Sequence, residues 1–125
     1  MEETDFNFEL FEGRGGKYNV AISISKPGIL SFSSGMHHSY QLSQYKGINL
    51  FFDRLKNTIA IKFNTEEVEN MFTMKHRADN KGSFVACKSF ITAYKLDDYF
   101  GKKFNPKNIQ HPQLGELTII SLDEI

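Results

Sequence analysis

The feature that most constrains the fold is an internal similarity between two stretches of the chain. The segment GILSFSSGMHHSYQLSQYKG (28–47) aligns without a gap on GSFVACKSFITAYKLDDYFG (82–101) when the sequence is shifted by 54 positions. Five positions are identical: Gly28/Gly82, Tyr40/Tyr94, Leu42/Leu96, Tyr45/Tyr99 and Gly47/Gly101. Glycines permit turns and aromatic residues fill cores, so this set predicts two copies of one folding unit.

The first copy predicts a definite order of elements. KYNVAISISK alternates between apolar and polar residues as a strand with one buried face does, and Lys26-Pro27-Gly28 indicates a turn. After a short apolar segment, Ser33 is a suitable N-cap for a helix of about two turns that extends through Leu42. KGINLFFD and TIAIKF then alternate around a turn and predict a β-hairpin.

The second copy repeats this order with NMFTMKHRADNKG, SFVA, a helix near CKSFITAYKL, and the later runs DDYFGKKF and LTIISL. Before both copies, DFNFELF alternates as an extra strand and GRGG follows as a hinge. We therefore predict an acidic N-terminal arm and hinge (1–16), a first repeat (17–64) and a second repeat (65–125). The two repeats are expected to pack as one domain, because a unit of about 50 residues cannot cover its own apolar face.

This order of elements resembles the swapped-hairpin β-barrel of AbrB and MraZ-type transcription factors, over residues 17–64 and again over 71–122. In that family a glycine is followed by a short helix, a second glycine and two strands; Gly28, Ser33–Leu42 and Gly47 match this order, as do Gly82 and Gly101. MraZ-type chains carry two units in tandem. The resemblance implies a mainly β fold with short helices, in which two swapped-hairpin units form one pseudo-symmetric β-barrel, and a role as a DNA-binding transcriptional regulator.

The charge distribution favours contact with a polyanion. Formal net charge is zero, but seven of the fifteen acidic residues lie in the two ends, so residues 13–122 carry a net charge of about +7. The family's basic positions hold Ile29 and Ser83, then His37 and Ile91, so we expect phosphate contacts with double-stranded DNA rather than base readout. The nucleic-acid-binding residues that we predict are Lys17, Lys26, His37, Arg77, Lys81 and Lys88.

Catalytic and metal chemistry have little support in the sequence, and we predict no enzyme, no cofactor, no metal and no small-molecule substrate. Cys87 is the only cysteine, so an internal disulfide is excluded and a structural role is expected. Neighbouring residues on a helix point in different directions, so His37 and His38 are expected at the surface rather than on one ion. His76 and His111 have no partner nearby in sequence. The acidic N-terminus and the absence of a long apolar run predict a cytoplasmic protein that does not enter a membrane.

A second function remains open at this point. The same barrel could serve as a protein-interaction or assembly module that has lost its DNA contacts. The alternating DFNFELF arm would then add a strand to the sheet edge of a neighbour and form a homo-oligomer.

Overall fold

Alternating apolar residues form most of the secondary structure in this computed structural model, which describes residues 20–78 and 81–123. The predicted arm (1–16) and Lys17 lie outside these residues. Within them the fold is mainly β with two short helices, as expected. The strands are β1 (Ile22–Ser25), β2 (Ile29–Phe32), β3 (Gly47–Asp53), β4 (Thr58–Asn64), β5 (Phe72–His76), β6 (Ser83–Ala86), β7 (Lys102–Phe104), β8 (Lys107–His111) and β9 (Gly115–Ser121); the helices are α1 (Ser34–Ser39) and α2 (Lys88–Ala93).

The strands form one antiparallel sheet in the order β7-β1-β2-β6-β5-β3-β4-β9-β8. β7 and β8 lie at opposite ends of this order, but only Asn105 and Pro106 separate them in the chain. Consecutive Cα atoms are about 3.8 Å apart, so the two ends of the sheet come within about 11 Å of each other. The sheet must therefore curl, and it forms a half-barrel.

The concave face of the sheet and both helices enclose a single apolar core. Its fully buried side chains come from every part of the described chain: Ile22, Ile24, Leu30, Met36, Leu42, Ile48, Ile59, Ile61, Ile91, Leu96, Ile120 and Leu122. Half-buried aromatic rings, including Tyr40, Tyr45 and Phe63, pack at its margin. Because strands from both halves supply this core, the two halves depend on each other for burial.

Most of the predictions made from the local sequence around the first helix are confirmed. Ser33 is the N-cap, and its hydroxyl accepts a hydrogen bond of 3.1 Å from the backbone N–H of Met36. The hairpin predicted from KGINLFFD and TIAIKF is formed by β3 and β4, which pair along their whole length. The helix does not reach Leu42, because Gln41 adopts a left-handed conformation (φ 52°) that ends it. A separate 3₁₀ turn covers Leu42–Gln44.

The predicted repeat is matched in the helices but not in the strands that precede them. α1 and α2 begin 54 positions apart, and Gln41 and Lys95 share the same left-handed conformation. β2 and β6 pair with Leu30 opposite Val85 and Ser31 opposite Phe84. Since directly opposite residues share a face, Leu30 points inward and Phe84 outward, although they are equivalent in the repeat. The tandem, pseudo-symmetric arrangement therefore stays a prediction.

Gly28 permits a close approach between the first turn and the second helix. Its φ is +137°, and a Cβ at this position would lie 2.7 Å from the Cα of Lys88. The backbone N–H of Cys87 also donates a 2.9 Å hydrogen bond to the Gly28 carbonyl. The start of α2 is thus seated directly on this turn, which only a glycine allows.

We predict that Gly28→Ala lowers the free energy of unfolding by about 2–4 kcal/mol, because strain at positive φ adds to a backbone clash. Gly101→Ala is the matched control, since Gly101 also has positive φ (86°) but no atom lies within 4 Å of its added Cβ. It should cost only about 1 kcal/mol. Urea unfolding measures both variants, and equal losses would contradict the close-packing argument.

Candidate nucleic-acid interface

The outer face of the five strands β7-β1-β2-β6-β5 carries hydroxyl, aromatic and basic side chains. Directly opposite residues form one row across all five strands, in the order Lys103, Ser23, Ser31, Phe84 and Lys75. Members of such a row share a face of the sheet, and neighbouring strands are about 4.8 Å apart. The two lysines therefore stand about 19 Å apart at the ends of a row of small side chains and one aromatic ring.

Arg77 adds a third positive charge to this face. Its guanidinium carbon lies 5.1 Å from the centre of the half-buried Phe84 ring, a cation–π contact. Because Phe84 points outward, the guanidinium also lies on the outer side of the sheet. We call the set Lys75, Arg77, Phe84, Ser31, Ser23 and Lys103 the basic face.

No carboxylate opposes these charges in the five strands themselves, none of which contains Asp or Glu. In the part of the chain that the structure describes, no ion pair involves Lys75, Arg77 or Lys103. The described acidic residues belong to other segments: Asp53, Glu66, Glu67, Glu69, Asp97, Asp98, Glu116 and Asp123. Positive potential should therefore concentrate on the basic face.

Four of the predicted DNA-contact residues lie in two pairs in the structure. Lys17 and His37 belong to neither pair. Lys26 lies in the turn before Gly28, against which the backbone of Lys88 is packed. Arg77 and Lys81 lie at the two ends of the β5–β6 connection, where the Arg77 N–H bonds the Gly82 carbonyl at 2.9 Å. All four side chains are exposed.

The two pairs stand at opposite ends of the central ladder. β2 and β6 are antiparallel, which separates the two glycine turns by about 17 Å along the strands. The basic face lies between them, so the pairs extend its positive charge in both strand directions.

His37 does not belong to this surface, and the expectation that it is exposed was wrong. Its side chain is only 3% accessible to solvent, because the α1 face that carries it packs against the sheet. Its Nδ1 lies 2.6 Å from the Ser83 hydroxyl. A buried imidazole in this position cannot reach a phosphate, whereas the neighbouring His38 is exposed.

His37, Ser83 and His76 form a hydrogen-bonded chain beneath the basic face. Ser83 Oγ also lies 2.8 Å from Nδ1 of His76, whose Nε2 is 3.0 Å from the Tyr45 carbonyl. A carbonyl only accepts, so His76 Nε2 must carry a hydrogen. In its neutral form, His76 then accepts at Nδ1 from the Ser83 hydroxyl, which in turn accepts from the Nδ1–H of His37.

This series of hydrogen bonds joins segments that are distant in sequence, which is why sequence reasoning missed it. His37 and His76 meet edge to face, with ring centres 5.4 Å apart, and the fully buried Ser83 bonds both. Ser83 is closed to any substrate, so it cannot act as a nucleophile. Among the described residues no group of three or more His, Cys, Asp or Glu could hold a metal ion.

The thiol of Cys87 is also inaccessible to a substrate. The thiol is buried at the start of α2, and this burial raises its pKa to about 11, although a backbone hydrogen bond from Leu30 acts in the opposite direction. At neutral pH it is therefore a protonated, poorly nucleophilic thiol.

The outer face of the other four strands carries an apolar patch bordered by polar residues that include Asp53, Thr58 and His111. Phe51, Ala60 and Ile119 are cross-strand neighbours on β3, β4 and β9, and Ile109 pairs with Leu117 on the adjoining strands. Together with Leu114 these side chains line a shallow groove of about 430 Å³. Ile109 is 40% exposed at its rim. We call this feature the apolar groove.

Comparisons of the chain with protein-family models, with curated proteins and with solved structures return no match. Residues 20–78 and 81–123 contain no helix that is long and apolar enough to cross a membrane.

We predict that Ser83→Ala lowers the free energy of unfolding by about 1–3 kcal/mol, because the buried Nδ1 of His37 loses its hydroxyl partner. Ser31→Ala is the control: Ser31 is half-exposed on the neighbouring strand, and its loss should change stability by less than about 0.5 kcal/mol. Chemical denaturation measures both. Equal stabilities of Ser83→Ala and the wild type would show that the chain of hydrogen bonds contributes nothing.

Proposed function

We propose that this protein binds nucleic acid through the basic face. The observation that carries the proposal is the row from Lys75 to Lys103, which is basic at both ends, contains no carboxylate, and has Arg77 held beside it on Phe84. Lys and Arg neutralise phosphates and release condensed counterions, which drives binding regardless of sequence. The Ser23 and Ser31 hydroxyls between the charges can donate to phosphate oxygens or sugars.

We infer that the bound polymer is duplex DNA and that the protein has a regulatory role. Duplex DNA is therefore the first polymer to test. The basis is the resemblance of the two Gly–helix–Gly segments to AbrB and MraZ-type regulators. One family position for a basic side chain is occupied by Ser83, which is buried here, and another by the half-buried Ile29. Contacts should therefore be made mainly to phosphates, with little base readout.

Phe84 makes single strands a necessary comparison. An aromatic ring on an open sheet surface can stack on an unpaired base, and the guanidinium above it can do the same. A duplex offers no unpaired base to the Phe84 ring, so the affinity of the protein for duplex DNA would depend on charge alone. A preference for single strands would accordingly implicate Phe84.

Binding of labelled duplex and single-stranded oligonucleotides is measured by fluorescence anisotropy from about 50 to about 300 mM salt. We expect a log–log salt slope of about −3, since the three basic side chains of the basic face would neutralise roughly three phosphates. The double variant Lys75→Glu/Lys103→Glu should weaken binding at least tenfold and reduce the magnitude of the slope by about 2. Lys56→Glu alters an exposed lysine in the β3–β4 turn and is the matched control.

Absence of binding to either polymer at the lowest salt would remove the proposal. Equal effects of Lys56→Glu and of the double variant would show that binding does not occur at the basic face. Near-ultraviolet circular dichroism would verify that each variant retains its fold.

The apolar groove supports a second candidate function, self-association. β8 is an edge strand beside the groove, and an edge strand can pair with the same strand of a second copy. An antiparallel β8–β8 pair centred on Ile109 would be isologous, as in a two-fold dimer, and would cover this exposed side chain.

We predict that the molecular mass measured by multi-angle light scattering rises toward twice the monomer value with concentration. Ile109→Asp should keep the protein monomeric, because a carboxylate would then be buried at the centre of the pair. Leu55→Asp is the control, since Leu55 is 98% exposed but lies outside the groove. A monomer at every concentration would contradict self-association.

A further inference from the structure

A second cavity opens where β4 and β9 diverge. β9 pairs with β4 only over Thr118–Ser121, whereas its first residues, Gly115–Leu117, pair with β8 alone. The C-terminal end of β4 therefore has no paired strand on the side of β9. The resulting cavity has a volume of about 530 Å³ and extends to the end of α1, within the range typical of small-molecule sites.

One wall of this cavity is aromatic. The rings of Tyr45 and Phe63 are stacked, with centres 5.0 Å apart and planes inclined by 30°. Tyr40 joins them, its ring centre 6.4 Å from that of Phe63. Phe63 thus contacts both tyrosine rings, and the three half-buried rings form one aromatic cluster in the lining of the cavity.

Side chains of β8 and β9 supply a polar wall of the cavity, in which one hydrogen bond is oriented. The Thr118 hydroxyl donates to Asn108 Oδ1 at 3.0 Å, which leaves the amide of Asn108 to act as a donor. Burial raises the pKa of Tyr40, the neighbouring Asn108 side chain lowers it, and the charge of Glu116 raises it. The Tyr40 hydroxyl can donate to a ligand, while the Glu116 carboxylate can accept.

We propose that this cavity binds a neutral sugar ring of the pyranose type. A pyranose has one apolar face of C–H groups and a rim of hydroxyls, which match the aromatic wall and the wall of Asn108, Glu116 and Thr118. Lys62 and Glu116 carry opposite charges at the lining, so neither a strong anion nor a cation is favoured.

The sugar could be a free monosaccharide or the end residue of a glycan. Methyl pyranosides carry a substituent at the anomeric oxygen and represent the glycan end, whereas the parent reducing sugars represent the free form. None of the cavity residues belongs to the basic face, so this proposal stands or falls separately from nucleic-acid binding.

The test is a titration of the ¹⁵N-labelled full chain followed by two-dimensional NMR. The ligands are reducing hexoses and their methyl pyranosides, with sorbitol and adenosine as controls, because sorbitol has the hydroxyls without the ring and adenosine supplies a nucleobase. We expect saturable shifts confined to amides around Tyr40, Phe63, Asn108 and Glu116, with a dissociation constant of about 1 mM for a ligand of about a dozen heavy atoms.

Two variants examine the two walls. Asn108→Ala should weaken binding about fivefold through loss of hydrogen bonds, and Tyr45→Leu should weaken it at least tenfold while keeping apolar volume. Asn105→Ala alters an exposed asparagine outside the cavity and should bind as the wild type does. The dispersion of each spectrum verifies folding. Absence of saturable shifts with every sugar, equal shifts with sorbitol or adenosine, or unchanged affinity of Asn108→Ala would overturn the proposal.

Discussion

The antiparallel pairing of β2 with β6 is the interaction on which the rest of this structure depends. It is one of four ladders that join the two halves of the chain, and its register decides which residues of β6 point inward. With Leu30 opposite Val85, Ser83 faces the core and Phe84 faces outward. A shift by one residue would exchange these roles, so that the buried histidine contacts and the support for Arg77 would both be lost.

The same curled sheet presents different chemistry on its two outer surfaces. The half built around β2 and β6 exposes hydroxyls and positive charges, whereas the half built around β4 and β9 exposes a patch of aliphatic and aromatic carbon bordered by polar residues. Surfaces of these kinds attract different partners, polyanions on the first and apolar surfaces on the second. A protein that used both at once would hold a charged polymer on one side and a second protein on the other.

Sequence reasoning predicted features that are determined within a few residues. The cap at Ser33, the hairpin of β3 and β4, and the mainly β fold with short helices follow from capping chemistry and alternation. The burial of His37 and its link to His76 arise from tertiary contacts between distant segments, which spacing along the chain does not reveal. The row from Lys75 to Lys103 was also not anticipated, because it exists only through the register of five strands. The opposite orientations of Leu30 and Phe84 show how aligned residues can occupy different environments.

The two-residue link between β7 and β8 has a consequence for how the chain reaches this state. Pairing of β4 with β9 joins residues as distant as Thr58 and Ser121, and β7 must dock on β1 from the other direction. Because Asn105 and Pro106 hold β7 and β8 close together in the chain, both strands must dock on their opposite ends of the sheet in the same folding step. Such non-local closure favours slow, all-or-none folding, in which neither edge strand can detach without disturbing the other.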